Sequence, residues 1–331
     1  MRVLFIGGTG NISSACAKLA VEQGIDLWLM LRGTSGETVP HGARTLRCDI
    51  RGGRTAAAVL EGTRWDAVVD FVAYLPEQID IDIDLFRGRT GHYLFISSAS
   101  VYEKPPACHV VTELTPLSNP FWRYARDKIS CEERLWRAWR EEGFPVTVVR
   151  PSLTYGETWI PCAVGGHDFT VADRMRRGAK VIVHGDGQSL WTVTHNSDFA
   201  KGLVGLLGLG AAIGEAYHIT SDEVLTWERI YQAIADAAGL NADLVHIPSE
   251  FVAAFDARAG ASLLGDKAYS VIFDNSKIKK AVPGFRATVP FADGIRRSMD
   301  WFTADPVRQA VNPEANRMMD RIIAAYLAAF P

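Results

Sequence analysis

The chain has 331 residues, of which 48% are hydrophobic and 22% charged, and its net charge is −3. This composition is typical of a globular protein with one large unit or two joined domains, and it disfavours nucleic acid or anionic membranes as partners. No run of eighteen apolar residues and no signal-peptide pattern occurs, so we predict a cytoplasmic protein. The five cysteines are widely spaced, without a CxxC pair or Cys/His cluster, so we expect neither a disulfide framework nor a metal site.

Apolar runs alternate with amphipathic stretches through the first 150 residues. Strands are predicted at Val3–Ile6, Leu27–Leu31, Ala67–Phe71, Tyr93–Ser97 and Val146–Arg150, and helices at Ser13–Gln23, Arg54–Leu60 and Phe121–Glu142. Continuous apolar strands separated by helices indicate a doubly wound, parallel α/β sheet of the Rossmann type.

The pattern becomes less regular after Pro151. A further strand is predicted at Ala216–Thr220, and helices at Thr226–Ala238, Pro290–Trp301 and Asn316–Phe330. We therefore predict a Rossmann-type domain over 1–155 that a strand and a helix near 195–220 rejoin. Residues 156–194 and 221–331 are predicted to form a smaller C-terminal lobe that binds the substrate.

The first strand is followed by GGTGNIS, from Gly7 to Ser13. Glycines permit a tight turn and a close approach of backbone N–H groups to a pyrophosphate, and the following helix adds partial positive charge. Such a turn also occurs as a simple corner between strand and helix. Its position directly after the first strand favours dinucleotide binding, with Ser13 at the position of the usual third small residue.

The second predicted strand ends at Arg32, where NAD-binding proteins usually carry an acidic residue for the ribose hydroxyls. An arginine suits the additional 2′-phosphate of NADP, so we favour NADP over NAD, although Arg32 as a solvated loop residue is the alternative. Asp49 follows another short run and is a candidate for the adenine amino group.

Two further segments carry candidate catalytic groups. The predicted helix Phe121–Glu142 contains Tyr124 and Lys128, whose spacing of four places both on one face. The strand before it ends in the hydroxyl-rich sequence FISSASVY, and ligands bind at the carboxyl ends of strands in an open α/β sheet.

The motifs together resemble the extended short-chain dehydrogenase/reductase family, in its NAD(P)-dependent epimerase/dehydratase branch. The resemblance is carried by the glycine turn, DFVAY, FISSASVY, YARDK and RPSLTYG, and by VHGDGQS, HNSDFAKG and FDNSKIKKAVPGF in the second half. It implies that Tyr124 is the acid/base and that Ser98 hydrogen-bonds the substrate oxygen. Lys128 is implied to bind the nicotinamide ribose and to lower the pKa of the tyrosine.

The resemblance also implies the remaining contacts. The cofactor set is Gly7, Thr9, Gly10, Asn11, Ile12, Arg32, Asp49, Ile50, Val72, Ala73, Tyr124, Lys128 and Pro151, and the substrate set is Ser100, Tyr155, Trp159 and Trp191. The loop from Thr154 to Asp168, which includes His167, is expected beside the substrate. A homodimer is a further expectation, with Trp136 and Trp139 as contributors to its interface or, alternatively, as residues packed on the sheet.

Three departures from the family pattern bear on the substrate. Ala99 and Ser100 follow Ser98 where dehydratases carry an Asp-Glu pair, which disfavours dehydration. Trp191 stands where nucleotide-sugar enzymes place a diphosphate-binding arginine, and compensation would have to come from Arg174, Arg176 and Arg177, whose simpler interpretation is solvated helix charge. His195 and Asp198 are interpreted as a structural histidine and a helix cap.

The sequence therefore predicts an NAD(P)-dependent hydride-transfer enzyme, an epimerase or keto-reductase acting on a sugar or nucleotide sugar. The first alternative is an NADPH-dependent reductase of a smaller carbonyl compound in secondary metabolism. A non-catalytic relative similar to the chloroplast stem-loop RNA-binding proteins is the second alternative, against which the net charge and the Ser98, Tyr124 and Lys128 set argue.

Overall fold

The protein is described from a computed structural model that covers residues 1–33 and 38–329. The strands are β1 Arg2–Ile6, β2 Asp26–Leu31, β3 Arg44–Arg47, β4 Ala67–Asp70, β5 Tyr93–Ile96, β6 Val110–Val111, β7 Val146–Pro151, β8 Leu153–Tyr155, β9 Val181–His184, β10 Leu190–Trp191, β11 Val193–His195, β12 Ala216–Ile219, β13 Leu225–Thr226, β14 Leu244–Ile247 and β15 Ile272–Phe273. The helices are α1 Ser13–Glu22, α2 Arg54–Val59, α3 Pro76–Phe86, α4 Arg123–Glu142, α5 Thr170–Arg176, α6 Asn196–Leu206, α7 Trp227–Ala238, α8 Ser249–Phe255, α9 Ala257–Ser262, α10 Ser276–Ala281, α11 Phe291–Thr303 and α12 Pro313–Ala329.

Seven strands form the main sheet in the order β12-β7-β5-β4-β1-β2-β3, and every pair in it is parallel. This confirms the predicted doubly wound α/β fold, and the six predicted strands are all members of the sheet. The edge strand β3 was not predicted as a strand, and three of its four residues are exposed. Helix α3 was not predicted either. The last predicted helix extends to Phe330, which lies outside the described residues.

The two faces of the sheet are covered because alternate strand residues point to opposite sides. Val3 and Phe5 of β1 join a buried cluster that includes residues of α1 and α6. Leu4 and Ile6 join a second cluster on the other face with residues of α3 and α4. The carboxyl ends of β1, β4, β5 and β7 are thereby fixed side by side, as a ligand site in this type of sheet requires.

The later part of the chain adds a third buried cluster, which contains Trp191, Trp227 and Tyr231. Its strands pair two by two, as β8 with β11, β9 with β14, β10 with β13 and β6 with β15. Strand β12 pairs with β7 at the edge of the main sheet. The division into two domains stays a prediction.

Within residues 1–33 and 38–329, no helix has the length and apolar character needed to cross a membrane. No group of three or more His, Cys, Asp or Glu side chains in these ranges is placed to hold a metal ion.

Candidate active site

The glycine turn connects β1 to α1 at the centre of the sheet edge. Gly7 and Gly8 have φ values of 92° and 121°, a region that side chains other than glycine rarely adopt. A Cβ on Gly7 would lie 3.1 Å from Val72, and a Cβ on Gly8 would lie 2.7 Å from Leu29. Gly10 donates its backbone N–H to the Ser13 hydroxyl at 2.9 Å, so Ser13 closes the turn in addition to packing as a small residue.

The catalytic candidates Ser98, Tyr124 and Lys128 line one cavity of about 420 Å³. Lys128 is buried and donates from Nζ to the carbonyl oxygens of Ala73 and Ile96, each at 2.7 Å. Its Nζ lies 6.0 Å from the centre of the Tyr124 ring. The structure thus brings the ends of β4 and β5 and one face of α4 together around a single ammonium group.

Ser98 has two roles in this arrangement. Its hydroxyl accepts the Ser100 N–H at 3.2 Å and caps the single 3₁₀ turn Ala99–Val101, as a structural serine would. It also hydrogen-bonds the Tyr124 phenol and lies 2.9 Å from the Ser100 hydroxyl. The capping interaction therefore does not remove Ser98 from the site.

Burial dominates the electrostatics of the pair on α4. It raises the pKa of Tyr124 to about 12, and the hydrogen bond from Ser98 offsets only part of this effect. It lowers the pKa of Lys128 to about 8, although Cys131, Asp70 and Glu132 act in the opposite direction. Lys128 directs two of its protons to backbone carbonyls, and the implied lowering of the tyrosine pKa by this residue stays a prediction.

A second cavity, of about 510 Å³, meets the first at Gly10, Ser13, Phe71 and Tyr74. Six residues of the predicted cofactor set line the second cavity but not the first: Gly7, Thr9, Arg32, Asp49, Ile50 and Val72. Ala73 is buried and lines neither cavity. The two cavities together form a groove that runs from the end of β2 to Tyr124.

A buried charged network lies behind this groove. Arg51 contacts Asp82 at 2.6 Å and Asp70 at 2.9 Å, and Tyr93 donates to Asp82 at 2.8 Å. Asp70 also accepts the backbone N–H groups of Val72 and Ala73, at 2.6 and 3.0 Å. Asp70 therefore fixes the loop whose Ala73 carbonyl receives the Lys128 ammonium.

The two carboxyl groups in this network differ in their ionisation. Burial alone would raise the pKa of Asp70, but the hydrogen bond from Asp82 and the Arg51 charge hold it below its usual value. Burial and the Asp70 charge raise the pKa of Asp82 well above its usual value. Asp82 therefore takes up a proton more readily than Asp70.

Aromatic and charged side chains line the first cavity together with the catalytic group. Trp159 stacks on His167 with ring centres 4.4 Å apart and planes 8° from parallel. Trp122 lies 4.9 Å from the Tyr124 ring, and Asp266 and Lys267 also line the cavity. Burial lowers the pKa of His167 to about 4, so its ring is neutral at neutral pH.

The predicted substrate residues divide into two groups. Ser100 and Trp159 line the cavity, as does Pro151 of the cofactor set. Tyr155 and Trp191 do not: both are buried in the C-terminal core, where Tyr155 contacts Phe291 and Trp191 packs on Trp227. Their expected contact with substrate is not supported by the structure, because core packing already covers both rings.

The three arginines considered as substitutes for a diphosphate-binding arginine form ion pairs with aspartates. Arg174 is buried and pairs with Asp320 at 2.6 Å. Arg176 and Arg177 both pair with Asp173, at 2.6 and 2.7 Å. Among the residues described, no arginine lines the cavity that holds Tyr124.

His195 and Asp198 have structural surroundings. His195 caps α6 by accepting the Ser197 N–H at 3.3 Å, and burial lowers its pKa. Asp198 is buried, pairs with Lys201 and accepts the N–H groups of Thr288 and Val289. The interpretation of Asp198 as a cap of α6 misses these contacts, by which it anchors the segment before α11.

Several residues of the groove carried no signal in the sequence. Asp266 and Lys267 belong to one turn of π-helix, Leu263–Lys267, and nothing in their local pattern marks them. Arg51 and Asp82 are likewise isolated charges along the chain. Of these charged residues, only Asp70 belongs to a recognisable sequence motif, DFVAY, of which it is the first residue.

Comparison with known proteins places these features in a wider group. Residues 3–220 match the family described as "NAD dependent epimerase/dehydratase family". The 2'-dehydrokanamycin reductase of Streptomyces kanamyceticus is 24% identical over 288 residues, which are 86% of this chain and 80% of that protein. A dTDP-glucose 4,6-dehydratase of an Actinoplanes species is 30% identical over 233 residues, which are 69% of this chain and 65% of that enzyme.

A solved structure shows the likeness of fold. UDP-glucuronic acid 4-epimerase from Bacillus cereus, in complex with NAD, superimposes with a TM-score of 0.71. The match covers 92% of this chain and 97% of the epimerase at 18% sequence identity.

Proposed function

Since this chain is a member of the NAD-dependent epimerase/dehydratase family, within the extended short-chain dehydrogenases/reductases, we propose that it reduces a ketone of a sugar-like substrate that carries no nucleotide. The observation that supports this is the composition of one cavity. It combines Ser98, Tyr124 and Lys128 with aromatic rings and lacks, among the described residues, an arginine clamp.

The groove fits a nicotinamide dinucleotide. Gly7, Gly8 and Gly10 line it, and the lack of a Cβ in such a turn lets a phosphate approach the backbone closely. Lys128 uses two donors on carbonyls and its ammonium has a third. When bound, the nicotinamide supplies the hydride.

The side chains of this protein supply the proton and the orientation. Tyr124 is protonated at neutral pH, because burial raises its pKa to about 12, and it donates that proton to the oxygen of the carbonyl group. Ser98 holds the same oxygen through its hydroxyl. Lys128 fixes the ribose and places positive charge beside the phenol, which stabilises the phenolate left behind.

The surroundings of Tyr124 favour reduction over dehydration. Dehydration needs carboxylates to remove a proton and expel water, but Ala99 and Ser100 follow Ser98. The one acidic side chain among the described cavity residues is Asp266. The match to a reductase named for 2'-dehydrokanamycin agrees with a ketone substrate that is not a nucleotide sugar.

We further propose NADP as the preferred cofactor. Arg32 is exposed, lines the cavity beyond the end of β2 and forms no ion pair with a described residue. A guanidinium group at the end of β2 suits a phosphate ester better than a ribose hydroxyl.

A homodimer in the cytoplasm is the remaining part of this proposal. Trp139 is 38% exposed on α4, and its ring covers Gly214 on its other side. Trp136 packs edge-on against it and contributes to the core beneath the sheet.

The proposal is tested by NADPH consumption with two ketones, dTDP-4-keto-6-deoxyglucose and 2-keto-myo-inositol. We expect the nucleotide-free ketone to be the better substrate, and Tyr124→Phe to lose about 10²–10⁴-fold in kcat because it cannot donate a proton. Tyr269→Phe is the matched control, since Tyr269 does not line the cavity.

Full activity of Tyr124→Phe would contradict the proposed role of the phenol. Protein that carries tightly bound, oxidised NAD after purification and does not consume NADPH would instead support an epimerase.

A further inference from the structure

The turn Leu263–Lys267 brings a carboxyl group, that of Asp266, to the cavity that Tyr124 lines. Asn119 holds this turn: its amide donates to the Gly265 carbonyl at 2.7 Å and to the Ser100 carbonyl at 2.8 Å. A Cβ on Gly265 would lie 2.6 Å from Cβ of Trp122, so the turn packs directly on the start of α4. Asp266 is thereby fixed relative to Ser98 and Tyr124. A π-helical turn of this kind is common at functional sites.

The Asp266 carboxyl group has acceptor capacity that the protein does not use. Its side chain is 16% exposed, and its nearest charged partner is the Lys104 ammonium at 4.0 Å, beyond hydrogen-bond distance. The described residues supply no hydrogen-bond donor to either oxygen. Because a carboxylate accepts about four hydrogen bonds and this one lines the cavity, a ligand in the cavity can donate to it in place of water.

The charges around Asp266 indicate which donors fit. Burial raises the pKa of Asp266, and the charges of Lys104 and Lys267 offset part of this effect. Lys267 donates to the Ser262 hydroxyl at 2.6 Å and lies over Trp122, 5.5 Å from the ring centre. A substrate ammonium would approach two cations together with one anion, so neutral hydroxyl groups are the better match.

Trp159 and Trp122 supply the apolar part of the cavity lining. Their rings provide flat surfaces for the carbon face of a six-membered ring, and the polar groups between them fix its orientation.

We propose that Asp266 determines the specificity of the enzyme by accepting hydrogen bonds from hydroxyl groups of a neutral, polyhydroxylated six-membered ring. The inference rests on the proposed function, since it assumes that the ketone of that ring faces Tyr124. Asp266 binds and orients the substrate without taking part in proton or hydride transfer.

The test compares ring ketones that differ in their substituents. Calorimetry on wild-type protein loaded with NADP⁺, which cannot reduce a ketone, measures the binding of 2-keto-myo-inositol, cyclohexanone and 4-aminocyclohexanone. We expect the first to bind at least tenfold more tightly than the other two. In Asp266→Asn this preference falls by about tenfold or more, because a charge-assisted hydrogen bond is lost.

The controls separate specificity from folding. Asp300→Asn changes an exposed aspartate of α11 that does not line the cavity, and it should keep the preference. Binding of NADP⁺ and the melting temperature should be the same in both variants and in the wild type, because Asp266 is not one of the residues predicted to bind the cofactor.

Two results would overturn the inference: a wild-type protein without preference for the hydroxylated ring, and an Asp266→Asn variant that keeps it. Tighter binding of the amine would overturn the choice of neutral hydroxyls. None of these results affects the proposed hydride transfer, which fails instead if Tyr124→Phe remains active.

Discussion

The Asp70 and Asp82 pair offers a direct test of how charge is distributed behind the cofactor groove. The pKa of Asp70 is lowered and that of Asp82 is raised, so their asparagine variants should differ. In Asp70→Asn the amide nitrogen, when it takes the position of Oδ2, faces the Arg51 donor at 2.9 Å. In Asp82→Asn an amide N–H can donate where a protonated Asp82 would.

The expected magnitudes follow from these contacts. Removing one partner of a buried ion pair costs about 3–5 kcal/mol, and we expect about 3 kcal/mol for Asp70→Asn, because Asp82 can ionise and neutralise Arg51. Asp82→Asn keeps a donor toward Asp70 and an acceptor for Arg51. It should cost about 1 kcal/mol or less.

Urea unfolding at neutral pH, followed by tryptophan fluorescence, measures both values. Asp70→Asn should also weaken NADPH binding, because the Val72–Ala73 backbone loses its anchor. Equal costs for the two variants would refute the difference in pKa between Asp70 and Asp82.

The pH dependence gives an independent check on the same difference. The folded-state pKa of Asp82 is raised, so its contribution to stability is present below the unfolded pKa and is lost as pH rises through the folded pKa. Stability of the wild type should therefore fall relative to that of Asp82→Asn as pH rises above about 4. A difference that is independent of pH would contradict the raised pKa.

Three further predictions concern the cofactor and the assembly. The affinity of the wild type for NADPH should fall as pH rises above about 8, where Lys128 loses its proton. A fluorescence titration with NADPH should show this fall in Tyr124→Phe but not in Lys128→Met. Arg32→Ala should raise the KM for NADPH by about tenfold or more and leave that for NADH unchanged, since a charge-assisted phosphate contact is worth at least 1.4 kcal/mol. Trp139→Asp should convert a dimer into a monomer in sedimentation velocity; a monomeric wild type at micromolar concentration would remove the dimer proposal.

The sequence predicts the main sheet well because its strands are buried on both faces and appear as continuous apolar runs. The prediction misses two elements, β3 and α3, for physical reasons. Strand β3 lies at the edge, and its residues RTLR carry no apolar run. Helix α3 has alternating isoleucine and aspartate in the sequence IDIDID, a period of two that resembles a strand, and its Asp82 is buried by the charged network instead of by an apolar partner.

The candidate site shows the same contrast. The glycine turn and the Tyr124 and Lys128 pair are local patterns, whose spacing is fixed by one turn and one helix, and the structure brings them together with Ser98. The prediction of Trp191 as a substrate residue fails because an aromatic side chain at this position is equally suited to core packing, and Trp191 lies in the core.

The residues that line the first cavity beside the catalytic group explain why the substrate is harder to predict than the chemistry. Trp122, Trp159, His167 and Asp266 come from three separate segments, and no periodicity links them. Their meeting depends on Asn119, whose amide connects the end of β5 to the turn at Gly265, 146 residues later. Ser98 follows β5, and Tyr124 and Lys128 belong to α4, so a side chain such as Trp159 can change without removing the proton donor. We therefore expect substitutions of such side chains to alter the KM and the choice of ketone more than the kcat for a ketone that still binds.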